Sequence, residues 1–126
     1  MKRMIPLLLS ILLLTGCGGN SADATYQQID QEAAKEMMDT QEVIILDVRE
    51  QDEYDSGHIP EAVLLPVGTI AEDTAAEVIP EKGSTVLVYC RSGNRSKTAS
   101  SALAELGYTN IYEFGGINTW PYDTEP

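Results

Sequence analysis

Residues 85–96 read Thr-Val-Leu-Val-Tyr-Cys-Arg-Ser-Gly-Asn-Arg-Ser, an apolar run that passes directly into a polar loop. The run at 85–89 is rich in β-branched and apolar residues, which is typical of a strand buried on both faces. A helical pattern follows at 96–106, with apolar residues along one face and Gly107 as its stop. The sequence therefore predicts a strand, a short loop and a helix, with Cys90 where the strand ends.

The alternation of strand and helix patterns continues through the rest of the chain. Four further apolar segments are compatible with strands: 26–29, 43–46, 62–67 and 111–114. Helical spacing follows Asp30, which we predict to be an N-cap, and returns at 70–79 before Pro80. Because strands alternate with helices, we predict an α/β fold with a mostly parallel sheet and helices on both faces.

The loop after Cys90 carries the features of an anion site. Gly93 and Asn94 tolerate positive φ, so the loop can curl and aim its backbone N–H groups inward, together with the start of the helix. Such a setting, with arginines nearby, lowers the pKa of a cysteine thiol below its ordinary value of about 8.5. We predict Cys90 as a nucleophile that needs no general base, with Ser96 as helix cap and with a substrate-binding ring of Arg91, Ser92, Gly93, Asn94, Arg95 and Ser96.

Each of these residues also has a structural interpretation. Cys90 could be a buried apolar cysteine, and Arg91 could simply be exposed to solvent. Asp47 and Arg49 follow another predicted strand, at the sheet edge where ligands bind in such folds, and could either support the loop or tie strand ends together. His58 has no apparent metal or nucleophile partner, so we interpret it as a hydrogen-bonded structural residue.

The first residues have the pattern of an export signal. Lys2 and Arg3 precede an apolar run at 5–14, which is shorter than the roughly 20 residues that span a bilayer. The length of the run suits the apolar region of a secretory signal. The run ends in Leu-Thr-Gly-Cys at 14–17, which resembles the lipobox of bacterial lipoproteins.

The lipoprotein resemblance implies that residues 1–16 are a signal peptide and that Cys17 becomes the acylated first residue of the mature protein. Residues 17–25 would then include a small, polar, flexible tether. Several acyl chains on Cys17 would anchor the protein to a bacterial membrane outside the cytoplasm. The alternative is an ordinary secretion signal with an incidental cysteine.

Length and charge limit the classes of partner. With 126 residues the chain has room for one domain, and its 8 basic and 20 acidic residues give a net charge of -12. Loss of Lys2 and Arg3 would leave six basic residues, a charge of -14, which repels nucleic acids and anionic headgroups. An anionic substrate therefore needs a local positive pocket. With Cys17 acylated, Cys90 is the one remaining thiol and no internal disulfide can form.

Several short segments occur in a fixed order: 47–50 (Asp-Val-Arg-Glu), 53–54 (Glu-Tyr), 57–60 (Gly-His-Ile-Pro), 89–96, 106–108 (Leu-Gly-Tyr), and 115–117 (Gly-Gly-Ile) with Trp120. Together they resemble the rhodanese homology domain and extend over 26–123. The resemblance implies a small parallel five-stranded sheet flanked by helices on both faces. It also implies transfer of a sulfane sulfur from thiosulfate or a persulfide donor to Cys90, and then to cyanide or a thiol, without metal or organic cofactor.

The resemblance assigns roles to the site residues as well. Cys90 becomes the persulfide carrier, the loop from Arg91 to Arg95 the substrate ring, and Asp47 and Arg49 supporting residues. We expect a monomer that does not bind nucleic acid. The chain departs from the family at Glu61, where glycine is usual, which could alter the turn or add charge near the crevice. Its tail after Trp120 is short and contains Pro121, so the family's last helix is expected to be truncated.

Two other functions use similar residues. Phosphatases of the dual-specificity class and arsenate reductases hold an oxyanion in a ring with five residues between Cys and Arg, whereas four separate Cys90 from Arg95. Tyr89 rather than histidine precedes the nucleophile, and no acid for the leaving group is apparent. The second alternative is a persulfide or redox sensor, because an exposed thiol of low pKa is also readily oxidised.

Overall fold

The computed structural model describes residues 25–126. The predicted signal peptide at 1–16, the lipidation site Cys17 and nearly all of the predicted tether lie outside the described residues. Within 25–126, no helix combines the length and the apolar character needed to cross a membrane.

Within the described residues, five strands form one parallel sheet in the order β1-β5-β4-β2-β3. The strands are β1 (Gln27–Gln28), β2 (Ile44–Asp47), β3 (Val63–Leu64), β4 (Val86–Cys90) and β5 (Ile111–Gly116). The α-helices of this part of the chain are α1 (Gln31–Thr40), α2 (Gln51–Ser56), α3 (Glu72–Val78) and α4 (Asn94–Glu105), and short 3-10 helices lie at Val67–Thr69 and Ile117–Thr119. The predicted α/β fold with a five-stranded parallel sheet is confirmed.

The central strand β4 is buried along its whole length. Its side chains alternate between two apolar layers because successive residues of a strand point to opposite faces. Val86, Val88 and Cys90 lie in the layer that contains residues of α3 and α4. Leu87 and Tyr89 lie in the other layer, with residues of α1 and with Phe114 of β5. The alternation directs the Cys90 side chain toward α4, the helix that follows its own loop.

Helix α4 starts two residues earlier than the sequence pattern predicts. Gly93 is the N-cap, with φ of 108°, a left-handed conformation that glycine adopts without steric cost. The prediction that Ser96 caps the helix is therefore wrong, because the turn at Gly93 already starts the helix at Asn94. Ser96 lies in the first helical turn and is fully buried, so its hydroxyl points into the site. The predicted cap of α1 is confirmed, since Asp30 accepts a hydrogen bond from the amide of Ala33 at 2.8 Å.

The C-terminal tail closes on His58. The backbones of His58 and Glu125 exchange two hydrogen bonds of 2.7 and 2.8 Å in an antiparallel bridge. The His58 ring stacks on Tyr54 at 3.8 Å, and its Nδ1 lies 2.9 Å from the carbonyl oxygen of Tyr54. These contacts make His58 a structural residue that joins α2 to the C-terminal tail.

Glu61 keeps the conformation that glycine would adopt at this position. Its φ of 72° is the one left-handed value of a non-glycine residue within 25–126. The side chain is exposed and lines a surface depression with Ile44 and Thr85, at the amino ends of β2 and β4. The charge of Glu61 therefore lies at the edge of the sheet opposite to Cys90, not beside the loop.

Candidate active site

Cys90 is the last residue of β4, and its sulfur lies beneath the loop that leads into α4. The residue is only 1% exposed. The amide of Gly93 donates a hydrogen bond to Sγ at 3.0 Å, and Oγ of Ser96 lies 3.4 Å from the same sulfur. The sulfur is thus buried but faces polar groups of the loop, unlike an inert cysteine of an apolar core.

The surroundings of the sulfur favour its ionised form. Burial raises the pKa of the Cys90 thiol, while hydrogen bonds from the backbone amides of Ser96, Gly93 and Ser92 lower it. The contacts outweigh burial, so the pKa lies below the ordinary value of a thiol. A larger fraction of the sulfur is therefore a thiolate at neutral pH than in a free cysteine.

The remaining loop residues form the rim above the sulfur. Arg91, Ser92 and Asn94 are exposed, whereas Gly93 is buried against the strand β5. The backbone of the rim is held from the side, because the amide of Asn118 donates to the carbonyl of Arg91 at 3.1 Å. Arg91 is thus exposed to solvent, as its structural interpretation predicted. The same exposure leaves its guanidinium accessible to an anion.

Arg95 is held by Glu53, a residue of α2 to which the sequence analysis gave no role. Both carboxylate oxygens of Glu53 accept hydrogen bonds from the guanidinium, at 2.7 and 2.9 Å. The bond from Arg95 lowers the pKa of Glu53 to about 2. Glu53 also accepts the amide of Glu50 at 2.9 Å, so the same side chain caps α2 and fixes the guanidinium beside the loop.

Asp47 and Arg49 form a buried pair behind the loop. Asp47 accepts hydrogen bonds from Nε of Arg49 at 2.9 Å and from Nη2 at 2.7 Å, and it also accepts one from the hydroxyl of Tyr89 at 2.6 Å. Arg49 donates further to the carbonyl of Gly57 at the end of α2. Both charged residues are at most 4% exposed, so they join the ends of β2 and β4 to α2 and do not line an open crevice.

A second carboxylate, Glu113 of β5, lies directly behind Ser96. It is 2% exposed and accepts hydrogen bonds from the Ser96 hydroxyl at 2.5 Å and from the amide of Gly115 at 3.0 Å. Glu113 was not among the site residues predicted from the sequence. Its position could have indicated a role, because Glu113 is the one acidic residue in the apolar and aromatic run at 111–114. A carboxylate in a buried strand is unusual unless it has hydrogen-bond partners there.

Gly116 of β5 makes the closest approach to the loop. A Cβ atom at this position would lie 2.0 Å from the carbonyl oxygen of Arg91 and 2.6 Å from the amide nitrogen of Ser92. Only a glycine leaves room for this peptide group. The Gly-Gly pair that ends β5 therefore sets the position of the loop that covers Cys90.

Residues 30–121 match the family described as Rhodanese-like domain. The chain belongs to the rhodanese-like family. The thiosulfate sulfurtransferase GlpE of Coxiella burnetii is 34% identical over 96 residues, which are 75% of this chain and 87% of that protein. The thiosulfate sulfurtransferase PspE of Escherichia coli K12 is 38% identical over 72 residues, 57% of this chain and 68% of that protein.

A solved structure of similar fold is the rhodanese-like domain of the Anabaena sp. Alr3790 protein, determined by NMR in solution. It superposes with a TM-score of 0.72 at 27% identity and covers 80% of each chain. The rhodanese resemblance seen in the sequence is thus confirmed. The chain is a sulfurtransferase of the rhodanese type.

Proposed function

We propose that Cys90 carries a sulfane sulfur as a persulfide, taken from a thiosulfate-like donor and passed to cyanide or a thiol. The observation that carries the proposal is the hydrogen bond from the Gly93 amide to Sγ, at the point where β4 ends and α4 begins. Amides at a helix start stabilise negative charge on the sulfur before the reaction and on the added sulfur after it. The relatives named thiosulfate sulfurtransferase support thiosulfate as the first donor to try.

The proposed reaction has two displacement steps. The Cys90 thiolate attacks the outer sulfur of thiosulfate, a bond forms between the two sulfurs, and the S–S bond of the donor breaks. Its electron pair leaves with sulfite, so the enzyme holds a persulfide anion and the total charge is unchanged. Cyanide or a thiolate then attacks the outer sulfur, which restores the Cys90 thiolate and gives thiocyanate or a new persulfide.

The burial of Cys90 fits a carrier whose reactive atom changes position during the cycle. In the unloaded form the residue is 1% exposed, so a bulky acceptor has little access to Sγ. A sulfur–sulfur bond of about 2 Å places the outer sulfur of a persulfide closer to the rim of Arg91, Ser92 and Asn94. An acceptor can then attack the outer sulfur without displacing the loop.

The deciding experiment is intact-mass analysis of the full chain carrying Cys17→Ser, in mild detergent, so that Cys90 is the only thiol. After thiosulfate treatment we expect a gain of one sulfur atom, which cyanide removes with release of thiocyanate over many cycles. Absence of the gain would refute the proposal. Uptake of one sulfur without repeated discharge would indicate a sensor, and release of phosphate from an aryl phosphate would indicate a phosphatase.

We also propose that the protein is a lipoprotein attached to a bacterial membrane through Cys17, facing away from the cytoplasm. The basic head of Lys2 and Arg3, the apolar run and the Leu-Thr-Gly-Cys motif support this location. Dual or triple acylation gives stable anchoring where a single chain does not.

The anchoring proposal predicts that Cys17→Ser abolishes incorporation of a labelled fatty acid. Cys90→Ser is the matched control and should keep the label. Labelling of the Cys17→Ser protein at the normal level would show that Cys17 is not the lipidation site.

A further inference from the structure

The buried carboxylate of Glu113 is surrounded by hydrogen-bond donors. Its Oε2 accepts from the Ser96 hydroxyl at 2.5 Å and from the Gly115 amide at 3.0 Å, and its Oε1 accepts from Nε2 of Gln28 at 3.3 Å. An ionised carboxylate is an acceptor only, so this set of partners suits the charged form. A negative charge is therefore held one side chain away from the reactive sulfur.

Ser96 connects the carboxylate to the sulfur but has a single proton to donate. Its Oγ lies 2.5 Å from the Glu113 carboxylate and 3.4 Å from Sγ of Cys90. The shorter contact with a charged acceptor takes the proton, so the hydroxyl presents a lone pair to the sulfur. That arrangement accepts a hydrogen bond from a thiol and gives none to a thiolate.

We propose that Glu113 is a positioning residue that acts through Ser96 to disfavour the unloaded thiolate of Cys90 relative to its persulfide. The part that concerns the persulfide rests on the proposed function. When Cys90 becomes a persulfide, the negative charge moves outward by one S–S bond of about 2 Å, away from Glu113 and from the lone pair of Ser96. The same loop amides can then donate hydrogen bonds to the outer sulfur. The Glu113 carboxylate therefore raises the free energy of the Cys90 thiolate more than that of the persulfide anion.

Among the described loop residues, the cation that interacts with the charge of the Cys90 sulfur is Arg95, but its guanidinium is bound by the carboxylate of Glu53. Asp30, beside α1, and Lys97 of α4 line the same surface depression as Glu113, but both side chains are exposed and screened by solvent. The partner from β1 is the neutral amide of Gln28. Glu113 and Cys90 are at most 2% exposed, so their mutual repulsion acts in a medium of low dielectric, where it is strongest.

The test is Glu113→Gln in the full chain carrying Cys17→Ser. The thiol pKa is measured from thiolate absorbance against pH, with the Cys90→Ser protein as the blank. We expect the pKa to fall by about one unit, which raises the thiolate fraction at low pH about tenfold. At a fixed ratio of thiosulfate to sulfite, intact mass should show a smaller persulfide fraction than in the parent. Glu105→Gln removes an exposed acid from α4 and should change neither quantity.

A second variant keeps the proposal testable if Glu113→Gln does not fold. Ser96→Ala removes the lone pair that accepts from the thiol, so we expect the thiol pKa to fall in this variant too. A rise in pKa would mean that Ser96 donates to the thiolate and would overturn the proposal. An unchanged or higher pKa in folded Glu113→Gln would overturn it as well, because loss of a merely structural contact would disturb the amides that stabilise the thiolate.

The pKa measurement does not depend on sulfur transfer. If the parent protein forms no persulfide, the proposed function fails while the direction of the pKa shift still decides whether Glu113 acts on the sulfur. If the parent forms the persulfide and the pKa does not move, only the role of Glu113 fails. Circular dichroism of each variant confirms that the comparison is made between folded proteins.

Discussion

Replacement of Cys90 by serine is expected to abolish sulfur transfer, with a loss of at least about 1,000-fold in turnover. A serine hydroxyl does not ionise near neutral pH and cannot form the S–S bond that holds the transferred sulfur. The site can otherwise accept the substitution. A hydroxyl at this position has the Gly93 amide and Ser96 as partners, both of which lie within 3.4 Å of Sγ. We expect the free energy of unfolding to change by no more than about 1 kcal/mol.

Cys17→Ser is the matched control for this substitution, because it makes the same chemical change at the other cysteine of the chain. It should retain sulfur transfer in detergent, whereas Cys90→Ser should not. Thiocyanate release measures turnover, and denaturant unfolding measures stability. Turnover by the Cys90→Ser protein would point to another nucleophile, and its unfolding would indicate that Cys90 is needed mainly for packing.

Much of the fold follows from local patterns in the sequence. The apolar runs mark the strands β2, β4 and β5 within one or two residues, because buried parallel strands need continuous apolar side chains. Helix α2 was not predicted, because the sequence of Gln51–Ser56 has no apolar periodicity. It forms because Glu53 caps its start and binds Arg95, a residue 42 positions away. The order of the strands in the sheet was not predicted.

The site residues that are contiguous in sequence could be predicted, and those that only the fold brings together could not. The loop after Cys90 is contiguous in sequence, so its turn, its amides and its position at the end of a strand can be predicted from residue types. Glu113 reaches Ser96 only because β5 lies beside β4 with Val88 opposite Glu113. No local pattern contains that pairing. The Ser96 cap was predicted wrongly for a related reason, because Gly93, which packs against Gly115 of β5, makes the left-handed turn that starts the helix at Asn94.

Gly116→Ala is expected to lower the activity by about 100-fold or more, although the glycine carries no chemical group. Its backbone pairs with Cys90 across the sheet, and an added Cβ would lie 2.0 Å from the Arg91 carbonyl oxygen. Neither the backbone of Gly116 nor that of Arg91 can move easily. The carbonyl of Gly116 is held by Nε2 of Gln31 at 2.8 Å, and the carbonyl of Arg91 by the amide of Asn118 at 3.1 Å. The collision must therefore shift the loop peptide itself.

Movement of this peptide displaces the amides that face the sulfur, and a displacement of about 1 Å near reacting atoms can cost about 100-fold in rate. Crowding of this kind also lowers the free energy of unfolding, by about 1–3 kcal/mol. Gly83→Ala is the control, because a Cβ there meets no heavy atom within 4 Å and the residue lies in the turn before β4. Thiocyanate release and the thiol pKa of Cys90 should both change in Gly116→Ala and remain at the parent values in Gly83→Ala. Full activity in Gly116→Ala would mean that the loop tolerates a different backbone position, and the tight approach of β5 would then have no part in stabilising the thiolate.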